Sequence, residues 1–287
     1  MDNIDKKFNK VGKVLLVNDD GIDASGFKIL KSIAEEISNE IWVFAPKNDK
    51  SGAGRSITLR NDIKVKKRSD REFEVDGTPT DCVILGLNHF MKGNSPDLVL
   101  SGVNAGRNAA DDVTYSGTVG AAWEATVLGV QGIALSQMYD KRFGMNFSAS
   151  NTYGSSVLKK IIPKISKLNS VININFPPVD EVNVKGLKTV ELDSHKLSDN
   201  IEYSENSENF RIGSMITRDH QVKGSDLYYL KKGYISITPL ALNVTDYKVL
   251  KQLRENILWL IKVRNKGPTL SWSLEDKEFG QPAFYQL

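Results

Sequence analysis

The chain has 287 residues, 40% hydrophobic and 25% charged, which is enough apolar material for one large core or a core with a smaller appendage. Its 38 basic and 35 acidic residues are scattered and leave a net charge of +3, too balanced to demand a nucleic-acid polymer or a membrane surface as partner. Cys82 is the only cysteine, which excludes an intrachain disulfide and a Cys-rich zinc site; the first dozen residues are polar and no run reaches the length of a membrane span, so a reducing cytoplasm is the expected location.

Residues 13–17 form a short aliphatic run that reads as a strand, followed by a turn-rich loop and then Phe27, Leu30, Ile33, Ala34 and Ile37 at helical spacing. Residues 41–44 give a second buried strand ending at Ala45-Pro46, so the opening is a β-α-β unit with parallel strands. Segments 56–59, 63–67 and 72–75 alternate polar and apolar residues and predict short strands at a sheet edge or in a flap. Asp76-Gly77 is a turn, and Thr78-Pro79 places a capping hydroxyl before a proline suited to a first helical position, opening a helix to about Asn88.

Residues 97–100 read as the next strand, 117–128 as a helix rich in Ala and Val, and 132–136 and 171–175 as two more strands. A helix over 155–167, which Pro163 would kink or interrupt, lies between those last two strands. Alternating strands and helices predict an α/β fold with a doubly wound, mostly parallel, Rossmann-like sheet over residues 1–180. From 181 to 287 the pattern loosens into a C-terminal part: a polar stretch over 194–209, strands near 210–212 and 234–239, and a helix over 246–263. An arm over about 240–287 is the expected oligomer contact.

The chemistry concentrates in four loops that each adjoin a predicted strand: Asn18-Asp19-Asp20-Gly21, Ser51-Gly52-Ala53-Gly54-Arg55-Ser56, the loop from Ser101 to Asn108, and Tyr115-Ser116-Gly117-Thr118-Val119-Gly120. Open parallel sheets bind ligands at the carboxyl ends of their strands, where such loops meet. Asp19 and Asp20 would point to opposite faces of an extended strand and can share a ligand only beyond it, where Gly21 permits a turn. Two carboxylates roughly 4 Å apart repel by about 4 kcal/mol at an effective dielectric near 20, and a divalent cation reverses that sign. Taken alone, the tetrapeptide reads as a solvated Asx turn, and the other loops are what turn the reading toward a cation.

Ser51 and Asn104 add neutral oxygens, so Asp19, Asp20, Ser51 and Asn104 make a set suited to Mg²⁺ or Mn²⁺ that also admits Ca²⁺. The three histidines, His89, His195 and His220, lie outside these loops, which disfavours a histidine-based zinc or copper site. Asn108, Ser116, Gly117 and Thr118 offer donors at the start of a predicted helix, where exposed N–H groups favour a phosphate; in isolation Ser116 and Thr118 would simply cap that helix. Gly52-x-Gly54 lacks the third glycine of a dinucleotide fingerprint, and no Walker-type phosphate loop is present. Cys82 sits in an apolar helical stretch and reads as a packing residue, as does Trp42 in its buried strand, while for Tyr115 packing and stacking on a ligand both stay open.

Together these residues resemble the SurE family of stationary-phase survival proteins, metal-dependent nucleoside monophosphate phosphatases. The resemblance rests on residues 14–26, 45–58 and 96–136, on Val75-Asp76-Gly77-Thr78-Pro79-Thr80-Asp81-Cys82-Val83, on Val171-Ile172-Asn173-Ile174-Asn175-Phe176-Pro177, and on the run from Gly233 to Leu240. It implies a metal held by Asp19, Asp20, Ser51 and Asn104, phosphate contacts from Asn108, Ser116, Gly117 and Thr118, and hydrolysis of nucleoside 5′- or 3′-monophosphates, with short polyphosphate as an added substrate. Asp19 or Asp20 would take the proton of the attacking water. It also implies a C-terminal segment exchanged between subunits of a homodimer or homotetramer. Thr80 stands where the family usually has alanine, Ala110 where glycine is common, and the tail after Arg264 is not family-like. The rival readings are a nucleotide-binding scaffold without turnover, against which the acidic pair argues, and a dinucleotide-dependent oxidoreductase, against which the missing glycine fingerprint argues.

Overall fold

In the computed structural model, which describes residues 8–140, 144–165, 169–203, 208–218 and 221–264, the elements run β1 (Val11–Val17), α1 (Ser25–Ile37), β2 (Ser38–Pro46), β3 (Val65–Ser69), β4 (Glu72–Val75), α2 (Pro79–Leu85), β5 (Leu98–Ala105), α3 (Gly117–Val127), β6 (Gln131–Gln137), α4 (Ser148–Ile165) and β7 (Ser170–Phe176). Then follow β8 (Leu187–Thr189), β9 (Lys196–Tyr203), β10 (Phe210–Thr217), α5 (Asp226–Lys231), β11 (Ile235–Ala241) and α6 (Tyr247–Arg264). One compact unit extends to Leu242; α6 belongs to a second. Among the described residues no helix is long and apolar enough to cross a membrane.

The main sheet has nine strands in the order β3-β4-β2-β1-β5-β6-β7-β11-β8. From β4 to β7 every neighbouring pair is parallel, while β3 on β4 and β11 on β7 are antiparallel. This is the expected α/β sheet, buried on both faces, and β1 shows why its strands read as continuous apolar runs. Val14 and Leu16 pack with Phe27, Leu30, Ile33 and Ile37 of α1 and with Val157 and Leu158 of α4. Leu15 and Val17 pack on the opposite face with Phe44, Val75, Val83, Ala121 and Ala125. Each such side chain, fully buried, stabilises the fold by about 1.5–3 kcal/mol relative to exposure. Cys82 is wholly buried in the second cluster, and burial pushes its thiol well above the ordinary range. Trp42 stacks on Phe73 with centroids 6.3 Å apart, so it packs as expected.

Thr78 caps α2 in a reciprocal box with Asp81, and the helix continues past Leu85 as a π-turn over Gly86–Phe90. Five expectations need correction. Ser101 to Ala105, expected as loop, belong to β5, where Asn104 and Ala105 pair with Ser136 and Gln137 of β6. Residues 56–59 form no strand, because their polar groups pair with the start of α2: the Thr58 amide donates to Asp81 at 2.9 Å, and the Thr78 hydroxyl donates to the Ser56 carbonyl at 2.8 Å. Helix α4 begins at Ser148 rather than 155. Its Ser- and Asn-rich opening has poor helix propensity, but small residues let it lie close on α1; a Cβ on Gly154 would stand 2.4 Å from Ile33 Cδ1. The helix also runs through Pro163 to Ile165. The polar stretch over 194–209 contains β9, which pairs antiparallel with β10 in a separate two-stranded sheet. Strand β8 and helix α5 were not expected either; β8 is three exposed residues whose pairing with β11 is its only strand signal.

Candidate active site

The chain leaves β1 for β2 on one side and returns to β5 on the other. At that reversal the loops after β1 and β5 diverge and leave a crevice at the carboxyl ends of the strands. The loop after β1 is tightened by the Asn18 side-chain amide, which donates to the Gly21 carbonyl at 2.7 Å, with Gly21 at φ +101°. This is not the solvated Asx turn the tetrapeptide alone suggests: Asn18 and Asp19 are buried, and the two carboxylates take different partners. Asp19 accepts the Thr118 amide at 3.1 Å and the Thr118 hydroxyl, which ties it to the first turn of α3. Asp20 accepts the Ala105 amide at the end of β5 at 2.9 Å. Gly117 allows the first of these contacts, since a Cβ there would lie 2.9 Å from Asp19 Cβ and 3.0 Å from its Oδ2.

The loop after β2 is drawn in by the Lys50 amide, which donates to the Asp19 carbonyl at 2.8 Å. Ser51 donates its hydroxyl to Asp49 at 2.7 Å, leaving the oxygen's lone pairs for another partner. Asn104 donates its side-chain amide to the Gly106 carbonyl at 2.9 Å, which leaves its Oδ1 as an acceptor. Ser116 caps α3 by accepting the Val119 amide at 3.0 Å, so the hydroxyl proton remains to be given. Thr118 is fully buried, with amide and hydroxyl both committed to Asp19. Among the described residues nothing accepts from the Gly117 amide.

Asp19, Ser51, Asn104, Asn108 and Ser116 line one cavity of about 460 Å³. Asp20, Gly117 and Thr118 are not part of that lining. Burial raises the Asp19 carboxyl from 3.8 to about 6, with Asp20 adding to the rise and the Thr118 hydroxyl opposing it. Burial also raises Asp20, the Ala105 amide opposes it, and Asp49 adds to it. These hydrogen bonds offset burial only in part, so two adjacent residues keep desolvated carboxylates at this end of the sheet. Beside them the Asn18 Oδ1 is buried with no hydrogen-bond partner. Among the described residues no three His, Cys, Asp or Glu side chains gather, so any cation held here must share the two carboxylates with neutral oxygens. Ser51 and Asn104, with their protons turned elsewhere, fit a hard divalent ion. A larger, more apolar cavity of about 760 Å³ beside Trp123 and Leu240 contains none of these groups.

Several residues that shape the site were not singled out from the sequence. Asn108 is held by a buried polar cluster: its amide donates to Asn175 at 2.8 Å, its side chain donates to Ser136 at 2.8 Å, and its carbonyl accepts from Asn173 at 2.7 Å and Asn175 at 3.1 Å. The signal was present, because Asn173 and Asn175 alternate with isoleucine in a strand buried on both faces. Tyr115, half exposed, also lines the cavity, together with Asp112 and residues of β9 and β10.

Residues 14–199 match the family model described as survival protein SurE. The chain is 41% identical over 244 residues to a protein of Paramagnetospirillum magneticum named 5′-nucleotidase SurE, spanning 84% of this chain and 94% of that one. The chain belongs to the SurE family. An Erythrobacter litoralis relative of the same name is 40% identical over 254 residues, covering 85% of this chain and 98% of its own. The crystal structure of the SurE protein from Aquifex aeolicus superposes with a TM-score of 0.74 at 31% identity, covering 85% of this chain and 99% of that one. The two positions expected to depart from the family pattern have visible local geometry. Ala110 takes φ +54°, a backbone region that favours glycine, with its amide held by Asp226 at 2.8 Å. Thr80 buries a hydroxyl that has no partner.

Proposed function

We propose that this SurE-family chain is a metal-dependent 5′-nucleotidase that hydrolyses nucleoside monophosphates to nucleoside and phosphate, with 3′-monophosphates and short polyphosphate as further substrates. The observation that carries it is the convergence of Asp19, Ser51, Asn104, Asn108 and Ser116 on one cavity at the reversal point of the sheet. Asp19, Asp20, Ser51 and Asn104 would hold a divalent cation, Mg²⁺ or Mn²⁺ with Ca²⁺ able to occupy the same oxygens, which would supply Lewis-acid stabilisation of charge and activation of water.

The chain's own groups do the rest. Asn108, gripped through its backbone by Asn173 and Asn175, presents its side chain to a phosphoryl oxygen without having to reorganise. Ser116 donates its remaining proton, and the Gly117 amide adds a donor at the positive end of α3. Thr118 serves the phosphate indirectly, by holding Asp19 at the helix start. Asp19 or Asp20 accepts the proton of the water as it bonds to phosphorus; the bond from phosphorus to the ester oxygen breaks, and that oxygen takes up a proton from solvent as it leaves, the carboxylate returning its own to solvent. The same reading places the protein in the cytoplasm as a homodimer or homotetramer, a state that a solution mass measurement decides.

Phosphate release is measured from AMP, GMP, CMP and UMP with Mg²⁺ or Mn²⁺, with and without thorough chelation. Turnover that stops under chelation and returns with metal is expected. Undiminished turnover in chelator overturns the metal, and no release from any nucleotide overturns the activity.

A further inference from the structure

The cavity above the acidic pair is walled on one side by a part of the chain that phosphate chemistry does not require. Lys196 and Asp199 of β9 and Ile212 and Met215 of β10 line it. Residues three apart on a regular strand face opposite ways. Here both pairs meet one cavity because the ladder slips twice. Ile212 pairs with Ile201 and Met215 with Asp199, three steps on β10 against two on β9; Ile216 then pairs with Ser198 and Thr217 with Lys196, one step against two. Each strand thus carries one extra residue, and each bulge turns the side chains beyond it to the other face.

This wall is fastened to the phosphate end. Lys196 Nζ lies 4.4 Å from the centre of the Tyr115 ring and 2.7 Å from Asp199, and Tyr115 directly precedes Ser116. At the base of the hairpin, the Asp111 carboxylate accepts the His195 and Lys196 amides at 2.6 and 2.7 Å.

We infer that Ile212 and Met215 form the nucleoside-facing wall of the cavity, and that the β9–β10 hairpin, rather than the oxygen-lined floor, sets which esterified group is accepted. This rests on the nucleotidase reading. With the phosphoryl group confined to the floor, the rest of the ester has to occupy the space the hairpin encloses. Two apolar side chains, one an adaptable methionine, offer a flat ring a surface but no hydrogen bond to its edge. Such a wall selects by contact area and not by donor pattern, so it accepts every nucleobase and favours purines over pyrimidines.

The test compares kcat/KM for AMP, GMP, CMP and UMP with that for ribose 5-phosphate, which has the same ester and no base. The wild type prefers nucleotides, purines most. In the double variant Ile212→Ala, Met215→Ala that preference falls about tenfold through a higher nucleotide KM, a size set by the loss of apolar contacts in a pocket. Met215→Leu retains most of the preference. Ile212 is 75% exposed, so its truncation leaves the core alone. Phe210→Ala, on the same hairpin but outside the cavity lining, leaves the ratio unchanged. An unaltered ratio in the double variant, or an equal loss of kcat on every ester, overturns the wall while the nucleotidase reading stands. No turnover of any ester by the wild type overturns both.

Discussion

The floor and the wall of the cavity are built on opposite principles. The floor sits on β1 and β5, whose apolar residues are buried on both faces of the sheet, and its acidic pair is fixed by amides of α3 and β5. The wall is a solvated hairpin on which Leu197, Ile201, Phe210, Ile212 and Ile216 are exposed, held by Asp111 at its base and by Lys196 at Tyr115. Groups that must act on a reacting phosphorus need sub-ångström placement and are carried by the rigid sheet. Groups that only accommodate a leaving group tolerate looser support, and a bulged hairpin with few buried contacts can vary without disturbing the core.

The sharpest way to break this contrast is at the floor. Asp20→Asn keeps an acceptor for the Ala105 amide but removes a charge, so kcat for phosphate release should fall about 10³-fold with a melting temperature no lower than that of the wild type. A near wild-type rate would show that the acidic pair is not the reactive centre. Gly117→Ala comes next, because its methyl would press on Asp19 at 2.9 Å; a loss of about 10²-fold in kcat at near-wild-type KM is expected by steady-state kinetics.

The third prediction concerns stability. Asp19 is raised by burial from 3.8 to about 6, so the folded state holds its proton more tightly than the unfolded chain. Its contribution is fully present below pH 3.8 and is lost as pH rises through about 6. In metal-free protein at pH 7.5, Asp19→Asn should therefore be more stable than wild type, by on the order of 1–3 kcal/mol, and the difference should vanish near pH 4. Thermal melts in chelator at the two pH values check it, and an Asn variant less stable at pH 7.5 would refute it. The smallest effect is expected at the wall: Asp111→Ala removes the acceptor of two hairpin amides and costs about 1–2 kcal/mol locally. Hydrogen exchange should then quicken in β9 and β10 and stay unchanged in β1 and β5. Equal quickening in both regions would mean that floor and wall are one cooperative unit.

The same contrast explains what could be read before the structure. Residues 14–17 and 41–44 are apolar at every position because helices cover both faces of their sheet, so the strands were legible from composition alone. The acidic and serine loops were legible because each follows such a strand, whereas Asn104, expected in a loop, lies within β5 itself. The opening turns of α4 were not, since small polar residues are helical there for the sake of close packing on Ile33. Nor was β9 legible, because a strand exposed on both faces and shifted by bulges shows no alternation to detect.

By itself, the order of residues determined a doubly wound sheet and the acidic, amide and hydroxyl groups at its strand ends, since burial on both faces dictates uninterrupted apolar runs and the loops inherit their place from the strands. Only the tertiary structure decided that Asp19 faces Thr118 while Asp20 faces Ala105, that Asn108 is clamped by Asn173 and Asn175, and that Lys196, Ile212 and Met215 share the cavity. Those pairings join residues far apart along the chain, and register and bulge, which depend on the partner strand, set them.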